Sequence, residues 1–272
     1  MIQLIAIDLD GTLLNSQKQI PKENIAAIKE AIAAGIKIVL CTGRPWSGTK
    51  PYFDQLELKA EEFLILNNGC SIYSSPDWEL LHAKSLTDKD IQHLENLSCA
   101  FPKVYLALTG ERDYFVLEET VPAIVQADGD LVFTKVKAVT SQEIANSKQV
   151  IFQAMYLGEK SVLDPFETAV RDQLSQSYSV VRSQDNILEI MPKGVTKASA
   201  LKELVSELKL QPDQVMAIGD APNDLEMLTY AGLGVAMGNA QKAIRQVADS
   251  ISLSNDLAGV AYAIRQFALK SK

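Results

Sequence analysis

The stretch Ile2–Ile7 constrains this chain more than any other: its apolar residues run together instead of alternating, and it ends on two acids, Asp8 and Asp10. A strand buried on both faces reads this way, and such strands belong to parallel sheets covered by helices. The rhythm continues downstream. Pro21 is expected at the first position of a helix whose Ile25, Ile28 and Ile32 share one stripe, with Gly35 ending it before a strand Ile36–Cys41. A further helix and the strand Phe63–Leu66 come next. Strand, helix and strand in short order imply right-handed crossovers and a parallel α/β sheet.

Past Asn67-Asn68-Gly69 the pattern changes. Ser71–Tyr73 and Glu79–Leu81 flank a Ser-Ser-Pro-Asp turn, which predicts a hairpin. From about Lys84 to Gln184, short strands such as Val104–Leu108 and Tyr114–Leu117 mix with helices such as Ser161–Gln176. Residues 84–184 are therefore expected to form an α+β domain inserted into the first. The parallel rhythm then returns. It runs through helix Lys197–Leu208, strand Val215–Ile218, helix Asn223–Ala231, strand Leu233–Ala236 and helix Gln241–Ala248 to a closing helix Leu257–Leu269. Residues 1–83 and 185–272 thus read as one discontinuous domain, and 272 residues suit two domains better than one.

A net charge of -8 with no basic stripe argues against a nucleic-acid partner. It leaves room for a phosphorylated substrate, since a local cationic pocket can sit on an acidic surface. No uncharged apolar run approaches the roughly 18 residues needed to span a bilayer, so no membrane partner is expected. The N-terminal stretch lacks the basic flank of a signal peptide. Cys41, Cys70 and Cys99 are odd in number and lack metal-type spacing, which suits a reducing compartment. A cytoplasmic protein is expected. His82 and His93 are isolated and read as surface or hinge residues.

Four segments carry candidate chemistry. Asp8-Leu9-Asp10-Gly11-Thr12 stands at the C-terminal end of the first strand, where ligands bind in open α/β sheets. Carboxylates two residues apart repel unless a cation or a proton lies between them. A calcium loop needs a longer run of oxygen ligands and flanking helices, whereas here an apolar strand comes first. A plain acidic turn stays open on this segment alone. Thr42-Gly43-Arg44 offers a hydroxyl and unhindered amides to an anion, or is simply a turn. Lys197 opens a helix after Gly194, where a cation gains nothing from the helix dipole, so it is either exposed or assigned a task. Gly219-Asp220-Ala221-Pro222-Asn223-Asp224 either caps a helix through Asn223 or forms a hard-cation site of two acids and an asparagine.

Together these segments resemble the haloacid dehalogenase superfamily of phosphohydrolases. Asn68-Gly69, Lys193-Gly194-Val195-Thr196-Lys197, Asp224-Leu225-Glu226-Met227-Leu228 and Ala236-Met237-Gly238-Asn239-Ala240 look like its Cof-type branch, which includes bacterial sugar phosphatases. The resemblance implies a Rossmann-like doubly wound parallel core with an inserted α+β cap domain serving as substrate lid. It also implies a Mg²⁺-dependent phosphatase acting on small phosphorylated metabolites, sugar phosphates foremost. Asp8 would attack phosphorus to give an aspartyl phosphate, and Asp10 would serve as general acid and then base. Asp8, the Asp10 carbonyl and Asp220 would hold Mg²⁺ together with waters, with Asp224 behind them in the metal site. Lys197, Thr42, Gly43, Asn223 and the Leu9 amide would bind phosphate oxygens. Ala221-Pro222 and Cys70 stand where other members often carry different residues, and Pro222 would alter the shape of the metal loop.

Rival readings differ at particular residues. A halide leaving group needs no proton, so Asp10 separates a phosphatase from a dehalogenase. A phosphomutase shares the intermediate, and the sequence does not distinguish it. A silent phosphometabolite-binding protein would have lost Asp8, Asp10, Lys197 or Asp220, and all are present. A nucleotide-binding oxidoreductase would carry G-x-G-x-x-G at its first strand–helix turn, and this chain does not.

Overall fold

The computed structural model describes residues 1–59 and 61–270. Its strands, in chain order, are β1 (Leu4–Asp8), β2 (Lys37–Cys41), β3 (Phe63–Leu66), β4 (Ser71–Ser74), β5 (Glu79–Ala83), β6 (Tyr105–Gly110), β7 (Tyr114–Val116), β8 (Lys137–Ala138), β9 (Ile151–Leu157), β10 (Tyr178–Gln184), β11 (Ile187–Pro192), β12 (Val215–Gly219), β13 (Leu233–Ala236) and β14 (Ser250–Ile251). Two compact units result. One comprises Met1–Gly43, Pro51–His82 and Thr196–Lys272, and the other Arg44–Lys50 with Ala83–Val195.

The first unit is built on a sheet of order β14-β13-β12-β1-β2-β3-β4-β5. It is parallel from β14 to β3, and β4 then runs antiparallel to β3. Every residue of β1 is buried, as its unbroken apolar run requires. Chain order reverses about β1: β2 lies on one side and β12 on the other, with Leu4 opposite both Lys37 and Val215. Such a switch point opens a crevice at the C-terminal ends of the strands, and Asp8 closes β1 at that end. One apolar cluster joins Leu4 and Ala6 to Val39, Ala217, Leu201 and Leu204.

The helix predicted after Pro21 spans Lys22–Ala33, with Pro21 as its N-cap rather than its first residue. Its buried stripe is Asn24, Ala27, Ile28 and Ala31, while Ile25 and Ile32 are half-buried. The predicted helix from Asn223 begins at Leu225, because Pro222–Asp224 forms a 3-10 turn instead. The predicted helix Leu257–Leu269 is broken. Ala258 sits at φ 51°, so the α-helix starts at Gly259 and passes into a π-helix over Ile264–Leu269. No helix among the described residues is long and apolar enough to cross a membrane.

The second unit has a sheet of order β10-β11-β9-β6-β7-β8, antiparallel except for β7 with β8. Leu106, Tyr156, Leu188 and Ile190 pack on one side with Leu94 and Phe166 from helices Asp88–Ser98 and Lys160–Ser177. The boundary expected at Gln184 falls inside the β10–β11 hairpin, so the unit runs on to Val195. Residues 44–50 also belong to it. The Arg44 guanidinium donates to the carbonyls of Gly48 and Leu131, both at 3.2 Å.

Candidate active site

Three of the singled-out segments meet at the buried end of β1. Lys197 opens the helix Lys197–Glu207, which is fastened by a capping box: Thr196 accepts from the Ser199 amide. The entry is held close by Gly69 at φ +102°, where a Cβ would lie 2.3 Å from the Thr196 carbonyl oxygen. The Lys197 side chain is 1% exposed, and its ammonium donates to Asp8 Oδ1 at 2.6 Å and Asp224 Oδ1 at 2.8 Å. A cation at a helix start loses against the dipole, and here two carboxylates repay it. Asp224 Oδ2 accepts the amides of Asp220 and Ala221, each at 3.0 Å, which folds the Asp220–Asp224 loop onto the strand end. Thr12 donates to Asp220 Oδ1 at 3.0 Å. Gly11, at φ +79°, leaves room there; a Cβ would stand 2.4 Å from Asp220 Oδ2.

Carboxylate oxygens of Asp8, Asp220 and Asp224 all lie within 4.8 Å of one another. Three acids around one ammonium leave an excess of negative charge in a buried place. The titration of the groups reflects it. Burial, then Asp224 and Asp220, hold the Asp8 carboxyl well above the usual carboxylate range against the pull of Lys197. Burial and Asp224 push Asp220 up to about 6. Burial pulls Lys197 down, but Asp224 and Asp8 outweigh it and keep the ammonium charged. This donor set, all oxygen and over-negative, fits a hard divalent cation. Asp8 and Asp220 are the better placed to hold it, since both oxygens of Asp224 already accept hydrogen bonds. The neighbouring Cys41 is no competing nucleophile, because burial pushes its thiol far up.

The Thr42–Gly43 loop lies beside Asn68 in the same unit. Asn68 donates its amide to the Thr42 carbonyl at 3.0 Å and accepts from Asn223 Nδ2 at 3.1 Å. Asn223 caps no helix: it lies inside the 3-10 turn Pro222–Asp224, and Asp224 is the residue before the helix Leu225–Tyr230. A Cβ on Gly43 would meet the Asn68 carboxamide at 3.1 Å, so the loop has no space for a side chain. Asn67 and Asn68 hold φ of 51° and 54°, ahead of Gly69. Three consecutive left-handed residues are what Asn-Asn-Gly favours, and that tripeptide was the available signal for Asn68. Leu9 is fully buried, and its carbonyl accepts from Leu14 at 2.9 Å. Asp10 stands apart: its side chain, 38% exposed, accepts from Lys18 at 2.7 Å. The sequence offered no signal for Thr12 or Lys18 as partners of Asp220 and Asp10.

Comparisons with known proteins place the chain in a family. A family described as haloacid dehalogenase-like hydrolase matches residues 5–264. YxeH of Bacillus subtilis is 34% identical, covering 99% of each chain. The 5-amino-6-(5-phospho-D-ribitylamino)uracil phosphatase YcsE of Bacillus subtilis is 31% identical over 98% of this chain and 96% of its own. Among solved structures, a haloacid dehalogenase-like hydrolase from Bacteroides thetaiotaomicron superposes with a TM-score of 0.87 at 29% identity, covering 98% of this chain and 99% of that one.

Proposed function

This chain belongs to the haloacid dehalogenase-like hydrolase family and is a phosphatase, and from that premise we propose that it hydrolyses small phosphorylated metabolites in the cytoplasm through an aspartyl phosphate on Asp8. The observation that carries the reading is the buried Lys197 ammonium bridging Asp8 and Asp224 beside Asp220. An aspartate so placed can be a nucleophile only if its charge and that of the incoming phosphate are balanced, and one lysine is too little for both. Mg²⁺ held by Asp8, the Asp10 carbonyl and Asp220 would supply that balance when bound.

In the first step an Asp8 oxygen bonds to phosphorus, the ester P–O bond breaks, and Asp10 gives the leaving alkoxide its proton. In the second, Asp10 takes a proton from water as the water oxygen bonds to phosphorus. The acyl phosphate bond breaks, which returns Asp8 as carboxylate and releases inorganic phosphate. Lys197 keeps Asp8 in place and meets the phosphate charge, while Thr42, Gly43, Asn223 and the Leu9 amide receive its oxygens. Asp224 acts by holding Lys197 and the Asp220 loop.

The leaving group is assigned to the sugar-phosphate class: small, polyhydroxylated and neutral apart from its phosphate. Support comes from YcsE, whose named substrate bears its phosphate on a ribityl chain. The second unit, inserted in the first, is the element we assign to selecting that group. Phosphate release from p-nitrophenyl phosphate tests the metal requirement. Activity should vanish in EDTA and return with Mg²⁺ but not with Ca²⁺; full activity in EDTA contradicts the reading.

A further inference from the structure

The contact between Asp10 and Lys18 is a half-exposed ion pair, a kind ordinarily worth little because two side chains must be ordered in water. Here the backbone does much of that ordering. Lys18 sits at φ 56° in a turn where its amide donates to Asn15 and the Asn15 amide donates to Gln19, both at 2.9 Å. Asn15 Oδ1 accepts the amides of Gln17 and Gln19 at 3.0 and 2.9 Å. The turn is also fastened to a distant segment. Asp256 accepts the Ser16 amide at 2.8 Å and its hydroxyl at 2.7 Å. Asn255 donates to the Leu14 carbonyl and Asn239 to the Gly11 carbonyl, each from Nδ2 at 2.9 and 2.8 Å respectively. The Asn255 amide in turn donates to Asn239 Oδ1 at 2.9 Å.

The loop that separates Asp10 from Lys18 is thus held at Gly11, Leu14 and Ser16 by residues more than 220 positions away. Hydrogen bonds at both ends of a short loop leave a long side chain few ways to leave its partner, and ordering done by the backbone is not lost again at the moment of reaction. We propose that Lys18 is a positioning residue for the proton transfer: through Oδ1 it holds the Asp10 carboxyl in the place from which it exchanges the proton. The inference rests on the reading of Asp10 as acid and base given above. Lys18 itself gives up no proton. The proton leaves the Asp10 carboxyl for the alkoxide as the ester bond breaks and returns there from water, while the ammonium stays on Oδ1.

The test is leaving-group dependence in the full-length protein with Mg²⁺, using kcat/KM for phenyl phosphate and p-nitrophenyl phosphate. This ratio reports only the steps up to loss of the first product, and nitrophenolate needs little protonation. For Asp10→Asn, phenyl phosphate should lose on the order of 100-fold more than p-nitrophenyl phosphate. Lys18→Met should copy the contrast at smaller scale, about 10-fold against less than about 2-fold, and Lys18→Arg should restore most of it. Asp256→Ala should cost phenyl phosphate roughly 3-fold alone and nothing further in combination with Lys18→Met, as expected for residues acting in one chain. A Lys18→Met variant that loses both substrates equally, or neither, while Asp10→Asn keeps its contrast overturns the inference alone. An Asp10→Asn variant without contrast overturns the assignment of Asp10 and the inference with it.

Discussion

The end of β1 and the turn that follows it each carry an aspartate held by a lysine, and physically the two places are opposites. At Asp8 the lysine is 1% exposed, shared with Asp224, and supplied by a helix that starts 189 residues downstream. At Asp10 the lysine is 52% exposed, pairs with no second carboxylate among the described residues, and comes from eight residues downstream. Burial makes the first pair strong and costly to disturb, because either charge left alone has no water to solvate it. Exposure makes the second pair weak, so its geometry has to come from the bracing of the loop. The difference suits the roles proposed above for the two aspartates. A nucleophile gains from a fixed, poorly hydrated oxygen, whereas an acid and base must reach both a leaving group and water.

Breaking the buried place should have the largest effect. Lys197→Met leaves Asp8 and Asp224 facing each other without their cation, so kcat/KM should fall on the order of 10³-fold or more. Thermal unfolding should move down as well, since removing one member of a buried pair typically costs about 3–5 kcal/mol. A variant with near-normal activity would mean that the two places are less different than their burial indicates. Asp224→Asn sharpens the comparison. It keeps the shape but cannot accept from Lys197 and from the two loop amides with the same charge, so kcat/KM should drop about 100-fold with little change in KM.

A smaller effect tests burial without catalysis. Glu62 is 2% exposed, accepts the Ile38 amide at 2.5 Å, and is pushed up by burial to about 7. Its folded pKa lies above its unfolded one, so the folded chain binds the extra proton. Stability from this group is therefore full below the unfolded value and falls as pH rises through the window from about 4.5 to about 7. Glu62→Gln removes that loss and should stabilise the protein by about 3 kcal/mol at pH 8 while making no gain at pH 4, read by urea unfolding at both. Equal stabilisation at the two pH values would show that the carboxyl does not titrate in this range.

Much of the first unit was legible because parallel strands buried on both faces are unbroken apolar runs. Phe63–Leu66 and Leu233–Ala236 lie where their residues put them. Failures came where local pattern meets backbone detail. Periodicity cannot tell an α from a π turn, so Ile264–Leu269 passed as ordinary helix, and Ala258 gave no sign of its left-handed backbone. The end of the inserted region was misplaced because β11 shares its sheet with β9, a pairing that depends on residues 30 positions away. In the site, Asp8, Asp220, Asp224 and Lys197 were legible as charges that local structure does not call for. The partners of Thr12, Asn68, Lys18 and Asp256 were not, since they come from hydrogen bonds across the fold and these residue types are common in turns.

The division between the two aspartates is tested most directly by trapping the phosphoryl group. Asp8→Asn and Asp10→Asn would each be exposed to acetyl phosphate with Mg²⁺, quenched in acid and weighed intact. Acetyl phosphate has a good leaving group, so Asp10→Asn should still be phosphorylated on Asp8 and, lacking its base, should accumulate one added phosphoryl group. Asp8→Asn should gain none, and its turnover should fall on the order of 10³-fold or more below the wild type. A phosphoryl group on the Asp8→Asn protein, or rapid wild-type turnover by Asp10→Asn, would contradict the assignment of nucleophile to the buried place and proton carrier to the exposed one.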